Sequence, residues 1–286
     1  MRWYRAPAKV NLTLRVNGRR QDGFHDIESL VAFADPSDWL GFRPGPRFDL
    51  FVEGMGSRDI GPLERNLVAR AAGALCAEIP GILSGEFHLI KCLPAAAGLG
   101  GGSSDAAACI RALADANGLS LSDKRVQTAA CNTGADVPVC LSARSRIMTG
   151  IGDRLGAAVH LPLFFAVLVN PRQCISTKEV FSAYCMGRRL FQIPRDIQRG
   201  SYSSEGMLEA IECAMNDLEH AAIKILPLIG DILEKLRRLF GARLARMSGS
   251  GATCFALFDD PHTAGKARRC LAAQYPNWWT TTTTFR

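Results

Sequence analysis

A glycine-rich segment between an apolar run and an alanine-rich run constrains the fold of this chain more than any other feature. Residues 94–108 read Pro-Ala-Ala-Ala-Gly-Leu-Gly-Gly-Gly-Ser-Ser-Asp-Ala-Ala-Ala, and the apolar run Phe87–Ile90 before them predicts a strand. Glycine adopts positive φ angles without steric cost and lets the backbone approach a ligand closely. Such a turn at the start of a helix exposes backbone N–H groups and the positive end of the helix dipole. The segment therefore predicts a loop that binds the phosphates of a nucleotide.

Two common phosphate-binding loops do not match this segment. A P-loop requires Gly, four residues and then Gly-Lys-Ser/Thr, and no lysine lies between Gly98 and Ser104. The dinucleotide-binding pattern requires glycine at its first, third and sixth places, and the sixth place counted from Gly98 is Ser103. The pattern that remains is Pro-x-x-x-Gly-Leu-Gly followed by Ser-Ser-x-Ala-Ala. The alternative to a phosphate loop is a glycine-rich surface turn before an ordinary helix.

Length and charge limit the class of protein. A chain of 286 residues has room for one large or two modest domains with an ample core. It has no long uncharged apolar run, and residues 1–9 lack the apolar core of a signal peptide, so we expect a cytoplasmic protein without a membrane span. The formal net charge of +7 comes with dispersed arginine pairs and without a nucleic-acid-binding motif. A mild positive field equally attracts an anionic nucleotide.

The cysteines indicate a reducing compartment. The chain has ten cysteines and no Cys-x-x-Cys pair, and several of them, such as Cys109 and Cys254, lie in apolar runs. Buried free thiols fit this pattern, whereas a zinc site or a disulfide framework is typical of other spacings and compartments. We therefore expect neither disulfides nor bound zinc.

Apolar periodicity, caps and turn residues predict strands and helices that alternate in both halves of the chain. Strands are predicted at 6–16, 27–33, 39–42, 48–52, 87–91, 140–141, 163–170, 242–247, 254–259 and 280–284. Helices are predicted at 66–78, 103–117, 122–134, 204–220, 227–240 and 261–274, with Ser103 and Ser122 as N-caps. Glycines and small residues collect near 150–160, where a boundary is predicted. The predicted class is α+β, with two domains at 1–155 and 156–286.

Two charged residues outside the loop are candidates for phosphoryl transfer, which needs a bound triphosphate, neutralised charge and an oriented acceptor hydroxyl. Asp136, in Gly-Ala-Asp-Val-Pro, follows a predicted helix and is a candidate base, with a turn or cap aspartate as the alternative. Lys9 lies in an apolar strand, where lysine is seldom buried without an anion, and a lysine that reaches the surface is the alternative. Beside Asp136, the ammonium of Lys9 would steady the alkoxide that forms.

These motifs together resemble those of the GHMP kinases, which include galactokinase, homoserine kinase and mevalonate kinase. The resemblance covers the glycine loop, Gly-Ala-Asp-Val-Pro at 134–138 and Ser-Gly-Ser-Gly-Ala at 248–252. Within this superfamily the chain is similar, nearly end to end, to the 4-diphosphocytidyl-2-C-methyl-D-erythritol kinases. Ala-Pro-Ala-Lys-x-Asn-Leu at 6–12, Gly-Arg-Arg-x-Asp-Gly-Phe-His at 18–25 and the longer Gly-Leu-Gly-Gly-Gly-Ser-Ser loop carry that closer similarity.

The resemblance implies a fold and a reaction. The fold would be the two-domain GHMP kinase fold, with an N-terminal domain like domain 2 of ribosomal protein S5 and a ferredoxin-like C-terminal domain. The reaction would be the transfer of the γ-phosphoryl group of ATP, with Mg²⁺, to the 2-hydroxyl of 4-diphosphocytidyl-2-C-methyl-D-erythritol. This step belongs to non-mevalonate isoprenoid precursor biosynthesis. The implied partners are ATP and this small molecule, with no nucleic acid, and the protein would be a monomer or a weak homodimer.

The resemblance also implies roles for individual residues. Lys9 and Asp136 would be catalytic. The ATP-binding residues would be Asn66 and Lys91, which border the adenine, and the loop residues Pro94, Ala95, Ala96, Ala97, Gly98, Leu99, Gly100, Gly101, Gly102, Ser103 and Ser104. The substrate-binding residues would be Asn11, Phe24, His25, Asp136, Thr177, Phe181, Gly249 and Gly251.

Within this set, Phe24 would stack on the cytosine, an interaction worth about 1–3 kcal/mol by analogy with aromatic–base stacking. His25 would hydrogen-bond the cytosine, and Thr177 and Phe181 would complete the cytidine pocket. Either Ser103 or Ser104 would cap the helix, contact a phosphate or bind Mg²⁺, which takes few protein ligands. The sequence leaves this choice open.

The chain departs from the family pattern at three places. Phe24 stands where tyrosine is common, Ala95–Ala97 stand where glycines are frequent, and Ser176 and Lys178 flank Thr177 where prolines are common. The loop would be stiffer and the geometry around Thr177 less well defined. Two other functions remain open from the residues: a GHMP kinase for a different small alcohol, and a nucleotide-binding or RNA-binding protein that uses this fold without catalysis.

Overall fold

The chain folds into two compact units that interleave along the sequence. The structure is a computed structural model that describes residues 1–55, 62, 65–185 and 204–285. Unit 1 contains 1–9, 36–95 and 100–143, and unit 2 contains 10–35, 96–99 and 144–286, in each case for the described residues. The predicted domains 1–155 and 156–286 cut the chain at a single position, whereas each of these two units contains several segments. The division into those two domains stays a prediction.

Strands and helices both contribute to each unit, which confirms the predicted α+β class. The described strands are β1 (Arg2–Asn11), β2 (Arg15–Arg19), β3 (His25–Gly45), β4 (Asp49–Gly54), β5 (Ser84–Lys91), β6 (Arg146–Gly150), β7 (Arg154–Ala158), β8 (Phe164–Asn170), β9 (Ala242–Met247), β10 (Cys254–Phe258) and β11 (Trp279–Phe285). The described helices are α1 (Leu67–Glu78), α2 (Gly101–Ala116), α3 (Lys124–Thr133), α4 (Val137–Ser142), α5 (Thr177–Ala183), α6 (Ser204–Cys213), α7 (Glu219–Ile225), α8 (Leu228–Arg237) and α9 (Pro261–Gln274). Among them, no helix combines the length and the apolar composition of a membrane span.

In unit 1, a sheet is built around the C-terminal half of β3. Residues 39–45 of β3 pair with β5 in antiparallel fashion, and β4 runs parallel to the other edge of β5. Alternate residues of β5 are buried, among them Phe87 and Leu89, as expected for a strand with one face in the core. The predicted strands 27–33 and 39–42 are parts of one long strand. The turn-like residues between them stay extended because Asp38 accepts hydrogen bonds from two backbone N–H groups of the segment after β5.

The helices of unit 1 correct three details of the sequence prediction. The short strand predicted at 140–141 is wrong, because Val137–Ser142 forms α4 with Asp136 at its N-cap and Pro138 in its first turn, where proline needs no N–H donor. The N-cap of α3 is Asp123, which accepts a hydrogen bond from the N–H of Arg125, and not Ser122. The N-cap of α2 is Gly100, and not Ser103.

In unit 2, a four-stranded antiparallel sheet has the order β11-β8-β10-β9. Apolar residues of α7, α8 and α9 pack with this sheet in one core cluster that includes Val167, Ile232 and Leu271. The N-terminal half of β3 pairs with β2 and with β6. The predicted strand 6–16 is interrupted after Asn11, because the N–H groups of Leu12 and Thr13 both point to the carbonyl of Leu30.

The predicted helix 204–220 is two helices in the structure, and the predicted helix ends of α9 are confirmed. Residues 214–218 leave the helical path between α6 and α7. The side-chain amide of Asn216 in this break donates hydrogen bonds to the carbonyls of Met247 and Gly249, at 2.8 Å each. A long-range contact therefore overrides local helix propensity here. In α9, Asp260 caps the helix and Pro261 begins it, as local rules predict.

Candidate active site

Unit 1 brings Lys9 and Asp136 together. The Nζ atom of Lys9, near the end of β1, lies 2.8 Å from Oδ2 of Asp136 at the N-cap of α4. The Lys9 side chain is 6% exposed, whereas the Asp136 side chain is 31% exposed. The predicted proximity of these residues is thus confirmed, although 127 positions separate them in the sequence. A buried ammonium that faces a half-exposed carboxylate leaves that carboxylate open to a further hydroxyl.

Gly100 connects this pair to the start of α2. Its φ angle is +62°, a left-handed conformation that favours glycine, and a Cβ atom there would lie 3.2 Å from both Cβ and Cε of Lys9. No side chain caps the helix that begins at Gly101. The backbone N–H groups of the first turn and the positive end of the helix dipole are therefore available to an anion beside Lys9.

The two serines of the loop differ in environment. Ser104 is fully buried in α2, and its hydroxyl donates a 2.7 Å hydrogen bond to the carbonyl of Pro7. Ser103 is half-buried in the first turn of the same helix. The predicted capping role of Ser103 is wrong because the left-handed Gly100 already ends the loop. Ser103 is therefore the serine with a hydroxyl near the exposed end of the helix.

Lys91, the predicted adenine neighbour, lies in a buried cluster of charges. Its Nζ atom donates to Oδ2 of Asp105, at 2.6 Å, and to Oδ2 of Asp38, and all three side chains are buried. The other oxygen of Asp38 accepts from the N–H groups of Cys92, at 2.6 Å, and Leu93, at 2.8 Å. Because Asp105 belongs to α2, the cluster joins the end of β5 to the first turns of α2.

Burial and neighbouring charges shift the pKa values of Lys91 and Asp105 in this cluster. Burial alone would lower the pKa of Lys91, but the charges of Asp105 and Asp38 outweigh this effect and raise it. Burial raises the pKa of Asp105 to about 7, against the opposing influence of the Lys91 ammonium. The Oδ1 atom of Asp105 is buried and has no hydrogen-bond partner among the described residues. One ammonium therefore balances two carboxylates only when Asp105 holds a proton.

Asn66, the other predicted adenine neighbour, is the N-cap of α1. Its side-chain oxygen accepts a 2.9 Å hydrogen bond from the N–H of Val68, and the residue is buried. The capping bond accounts for the asparagine at this position.

In unit 2, the central part of the glycine loop is tied to the Ser-Gly-Ser-Gly turn after β9. The hydroxyl of Ser248 donates to the carbonyl of Gly98, at 2.9 Å, and the N–H of Thr253 donates to the carbonyl of Ala97, at 3.1 Å. A Cβ atom at Gly98 would lie only 2.4 Å from the carbonyl oxygen of Ser248, and its φ angle is +71°. Glycine is therefore required at 98 by both packing and conformation.

Among the three alanines at 95–97, Ala96 has a φ angle of +44°. A Cβ atom in the left-handed region costs about 1–2 kcal/mol. Ala96 therefore carries backbone strain.

Asn11 faces the same turn. Its backbone N–H donates to the hydroxyl of Ser248, at 3.1 Å, and its side-chain amide donates to the hydroxyl of Ser29, at 2.7 Å. Its Oδ1 atom is buried, lacks a hydrogen-bond partner within the described residues, and lies 3.3 Å from where a Cβ atom of Gly249 would be. A buried oxygen without a partner is rare, and a ligand hydroxyl would satisfy it.

His25 and Phe181 also lie together in unit 2. Their rings stack with centroids 5.0 Å apart and an interplanar angle of 29°. Burial and the nearby Arg19 guanidinium lower the pKa of His25. Phe24 is 59% exposed, so its ring does not belong to the hydrophobic core. An exposed phenyl ring offers a face on which a base can stack.

Thr177 and the two glycines of the turn complete the predicted substrate residues. Thr177 begins α5, and its hydroxyl lies 2.8 Å from the hydroxyl of Ser250. Gly249 and Gly251 have φ angles of +57° and +87°. The structure thus links Thr177 to the turn that also contacts Asn11.

Several residues of these networks, among them Ser248, Asp38 and Asn216, were not predicted as site residues. Ser248 lies within the Ser-Gly-Ser-Gly motif, where the glycines drew attention and the hydroxyl did not. Asp38 and Asn216 have no local signal, because their partners lie 53 and 31 or more positions away. Each of the ten cysteines is a free thiol.

The described residues suit a Mg²⁺ ion that is held mainly by nucleotide phosphates. The described ranges contain no group of three His, Cys, Asp or Glu residues arranged to hold a metal ion. Mg²⁺ keeps water and phosphate oxygens as most of its ligands, and the half-buried hydroxyl of Ser103 and the uncapped end of α2 fit such an arrangement.

Comparison with known proteins places both halves of the chain in one family. The model for the GHMP kinases N terminal domain matches residues 66–144, and that for the GHMP kinases C terminal domain matches residues 203–277. The chain is 50% identical over 285 residues to the 4-diphosphocytidyl-2-C-methyl-D-erythritol kinase of Methylobacterium radiotolerans, with 99% of this chain and 98% of that protein covered. It is 47% identical over 282 residues to the enzyme of the same name from Rhodopseudomonas palustris, with 96% and 94% covered.

Solved structures agree with this similarity. A crystal structure of 4-(cytidine 5'-diphospho)-2C-methyl-D-erythritol kinase superposes with a TM-score of 0.78 at 31% identity, and 99% of each chain is covered. The homoserine kinase of Cytophaga hutchinsonii superposes with a TM-score of 0.71 at 18% identity, with 99% of this chain and 93% of that chain covered. The second match concerns the fold alone.

Proposed function

The chain belongs to the 4-diphosphocytidyl-2-C-methyl-D-erythritol kinases, a branch of the GHMP kinases, and we propose how it phosphorylates that substrate. The acceptor is the 2-hydroxyl of the methylerythritol unit. Its oxygen attacks the γ-phosphorus of ATP, the bond to the β-phosphate oxygen breaks, and the hydroxyl proton passes to Asp136. The products are ADP and the 2-phosphorylated substrate.

One observation carries this proposal: the Lys9–Asp136 pair, 2.8 Å apart, lies beside the uncapped start of α2. Asp136 is the base, and its partly exposed carboxylate accepts the hydroxyl proton. The Lys9 ammonium holds Asp136 in place and stabilises the negative charge that develops on the attacking oxygen. The N–H groups at the start of α2 and the helix dipole hold the phosphates. A protein that only binds nucleotides has no need for an ammonium–carboxylate pair at this place.

ATP and Mg²⁺ are assigned to the loop at 94–104. The family uses ATP, and Ser103 is the residue proposed to hold Mg²⁺, because the Ser104 hydroxyl is bonded to Pro7. When bound, Mg²⁺ neutralises charge on the phosphates as the γ-phosphoryl group transfers. The chain's own contribution is to hold the phosphates by backbone N–H groups and to keep the base and ammonium in place.

Residues of unit 2 are proposed to bind the rest of the substrate. Phe24 stacks on the cytosine, and His25 with Phe181 borders it, as the exposed ring and the stacked pair support. The unpartnered Oδ1 atom of Asn11 accepts a hydrogen bond from a substrate hydroxyl. Thr177, Gly249 and Gly251 are proposed to contact the same substrate. The proposed location is the cytoplasm, and no nucleic-acid partner is proposed.

Acceptor specificity tests this function. With ATP and Mg²⁺, the purified chain is expected to phosphorylate 4-diphosphocytidyl-2-C-methyl-D-erythritol. Free 2-C-methyl-D-erythritol 4-phosphate is expected to have a kcat/KM lower by about tenfold to a hundredfold, the equivalent of the about 1–3 kcal/mol of one stacked base. ADP release measured with each acceptor checks this expectation. Equal turnover of both acceptors would contradict the cytidine pocket, and preferred turnover of another small alcohol would contradict the substrate.

The two loop serines provide a second prediction. Ser103→Ala is expected to lower kcat/KM for ATP by about tenfold or more, because a hydrogen bond to a charged group contributes about 1.5–3 kcal/mol. Ser104→Ala serves as the matched control, since it removes a buried bond to Pro7 and is expected to reduce the free energy of unfolding by about 1–3 kcal/mol. Kinetics at varied ATP and urea unfolding of both variants separate the two effects. The reverse pattern would assign the ATP contact to Ser104.

A further inference from the structure

The Lys9–Asp136 pair is formed by two elements of unit 1 that lie far apart in the sequence. Lys9 belongs to β1 and Asp136 is the N-cap of α4, and their side chains meet at 2.8 Å. The Asp136 side chain makes no capping hydrogen bond to α4, so its position depends on how the whole helix is held. A helix of 6 residues is not stable without contacts to other elements. The geometry of the pair therefore depends on what fixes α4 relative to β1.

Arg111 of α2 is bonded to both of these elements. Its Nη1 atom donates to the carbonyl groups of Cys140, at 2.8 Å, and Leu141, at 3.3 Å, in the last turn of α4. Its Nη2 atom donates to the carbonyl of Arg5 on β1. The guanidinium is planar and its N–H groups point in fixed directions. One side chain therefore sets the separation between α4 and β1.

The carbonyl groups that Arg111 binds are suited to such a contact. The last four carbonyls of a helix lack partners within that helix, and the dipole favours a cation near them. On β1, the carbonyl of Pro7, two residues after Arg5, accepts from Ser104. Ser104 lies two turns before Arg111 on the same face of α2. This face of α2 thus presents a row of donors to β1, and Arg111 extends the row to the carbonyl end of α4.

We propose that Arg111 is a positioning residue for phosphoryl transfer, which keeps the carboxylate of Asp136 at the ammonium of Lys9 by fixing α4 against β1. The inference rests on the catalytic roles proposed for these two residues. The hydrogen bonds of Arg111 go to backbone carbonyls of Arg5, Cys140 and Leu141, so its influence on the reaction passes through the position of α4. A displacement of about 1 Å at reacting groups lowers a rate about a hundredfold.

Steady-state kinetics of two variants test this proposal. Arg111→Met is expected to lower kcat about tenfold to a hundredfold and to change KM for ATP and for the acceptor less than about twofold. Arg111→Lys keeps the positive charge but replaces the planar set of donors by a single ammonium. It is expected to fold as the natural chain does and to lower kcat about threefold to tenfold. A loss confined to KM would indicate a binding role and would overturn the proposal.

Asn117→Ala is the matched control for a loss of stability. Asn117 is a half-buried residue at the C-cap of the same helix, and its side chain is bonded to both the N–H and the carbonyl of Leu83. Its replacement is expected to lower the midpoint of urea unfolding, as Arg111→Met does, but to leave kcat unchanged. An equal loss of kcat in Asn117→Ala, or a normal kcat in both Arg111 variants, would contradict a positioning role.

Two further results separate this inference from the function on which it rests. A crystal structure of Arg111→Met is expected to show Nζ of Lys9 and Oδ2 of Asp136 farther apart than 2.8 Å, and an unchanged distance would overturn the inference. Asp136→Asn distinguishes the two failures. If Asp136→Asn is inactive while both Arg111 variants are normal, only the positioning role is wrong. If all three variants are normal, the proposed base is wrong as well.

Discussion

Replacement of Asp136 by asparagine is expected to lower kcat by about 10²–10⁴-fold, the usual contribution of a general base. Asparagine keeps the size of the side chain and an oxygen for Lys9, but it cannot take up the hydroxyl proton. ATP binding is expected to be retained, because the phosphates are held by backbone groups at the start of α2. Steady-state kinetics and binding of a non-hydrolysable ATP analogue measure the two quantities separately.

The matched control for this change is Asp123→Asn. Asp123 is also an aspartate at a helix N-cap in unit 1, and its partner is the exposed Arg125. Its replacement is expected to leave kcat unchanged. If Asp136→Asn turned over substrate at the normal rate, Asp136 would not be the base, and the proton would have to leave by another route. If both variants lost activity equally, a general effect on folding would explain the loss.

The replacement of Lys91 by methionine is expected to reduce the free energy of unfolding by about 3–5 kcal/mol, the usual result of removing one partner from a buried ion pair. Lys91 is the only cation that directly contacts the buried carboxylates of Asp38 and Asp105 among the described residues. Without it, the buried carboxyl groups of Asp38 and Asp105 lie together in the core with no cation beside them, and at least one of them has to take up a proton at a cost in stability. Urea unfolding of the variant measures this loss.

Two further variants separate charge from packing. Lys124→Met, at an exposed position of unit 1, is expected to change the free energy of unfolding by at most about 0.5 kcal/mol. Adding Asp38→Asn and Asp105→Asn to Lys91→Met is expected to recover a large part of the lost stability, because the uncompensated charges are then removed. A single Lys91→Met variant as stable as the natural chain would show that the cluster does not stabilise the fold.

The sequence predicted correctly those elements whose ends depend on residues next to them in the chain. The helix Pro261–Gln274 was predictable because Asp260 and Pro261 supply both a cap and a fixed φ angle. The glycine loop was predictable because Gly98 and Gly100 have positive φ angles, which favour glycine, and because Gly98 lies too close to the Ser248 carbonyl for a Cβ atom. The cost of burying an ammonium predicted an anionic partner for Lys9, and the resemblance to the GHMP kinases pointed to Asp136 as that partner.

Predictions failed where a distant partner determines the local structure. The break between α6 and α7 depends on Asn216, whose carbonyl partners lie on another segment. The long strand β3 passes through a turn-like sequence because Asp38 finds N–H donors after β5. One error was local: the serine-cap rule misplaced the start of α2, because a left-handed glycine ends a loop without any side-chain acceptor. None of these partners can be found by periodicity within a short window.

The interleaved path of the chain has a consequence for how such proteins diversify. The polypeptide passes from one unit to the other after Lys9, Asp35, Ala95, Leu99 and Ala143. No single crossover between two related genes exchanges one unit and leaves the other whole, because each would inherit segments from both parents. Recombination would therefore preserve this architecture only between close homologues, and new acceptor preferences would arise by point substitution rather than by module exchange.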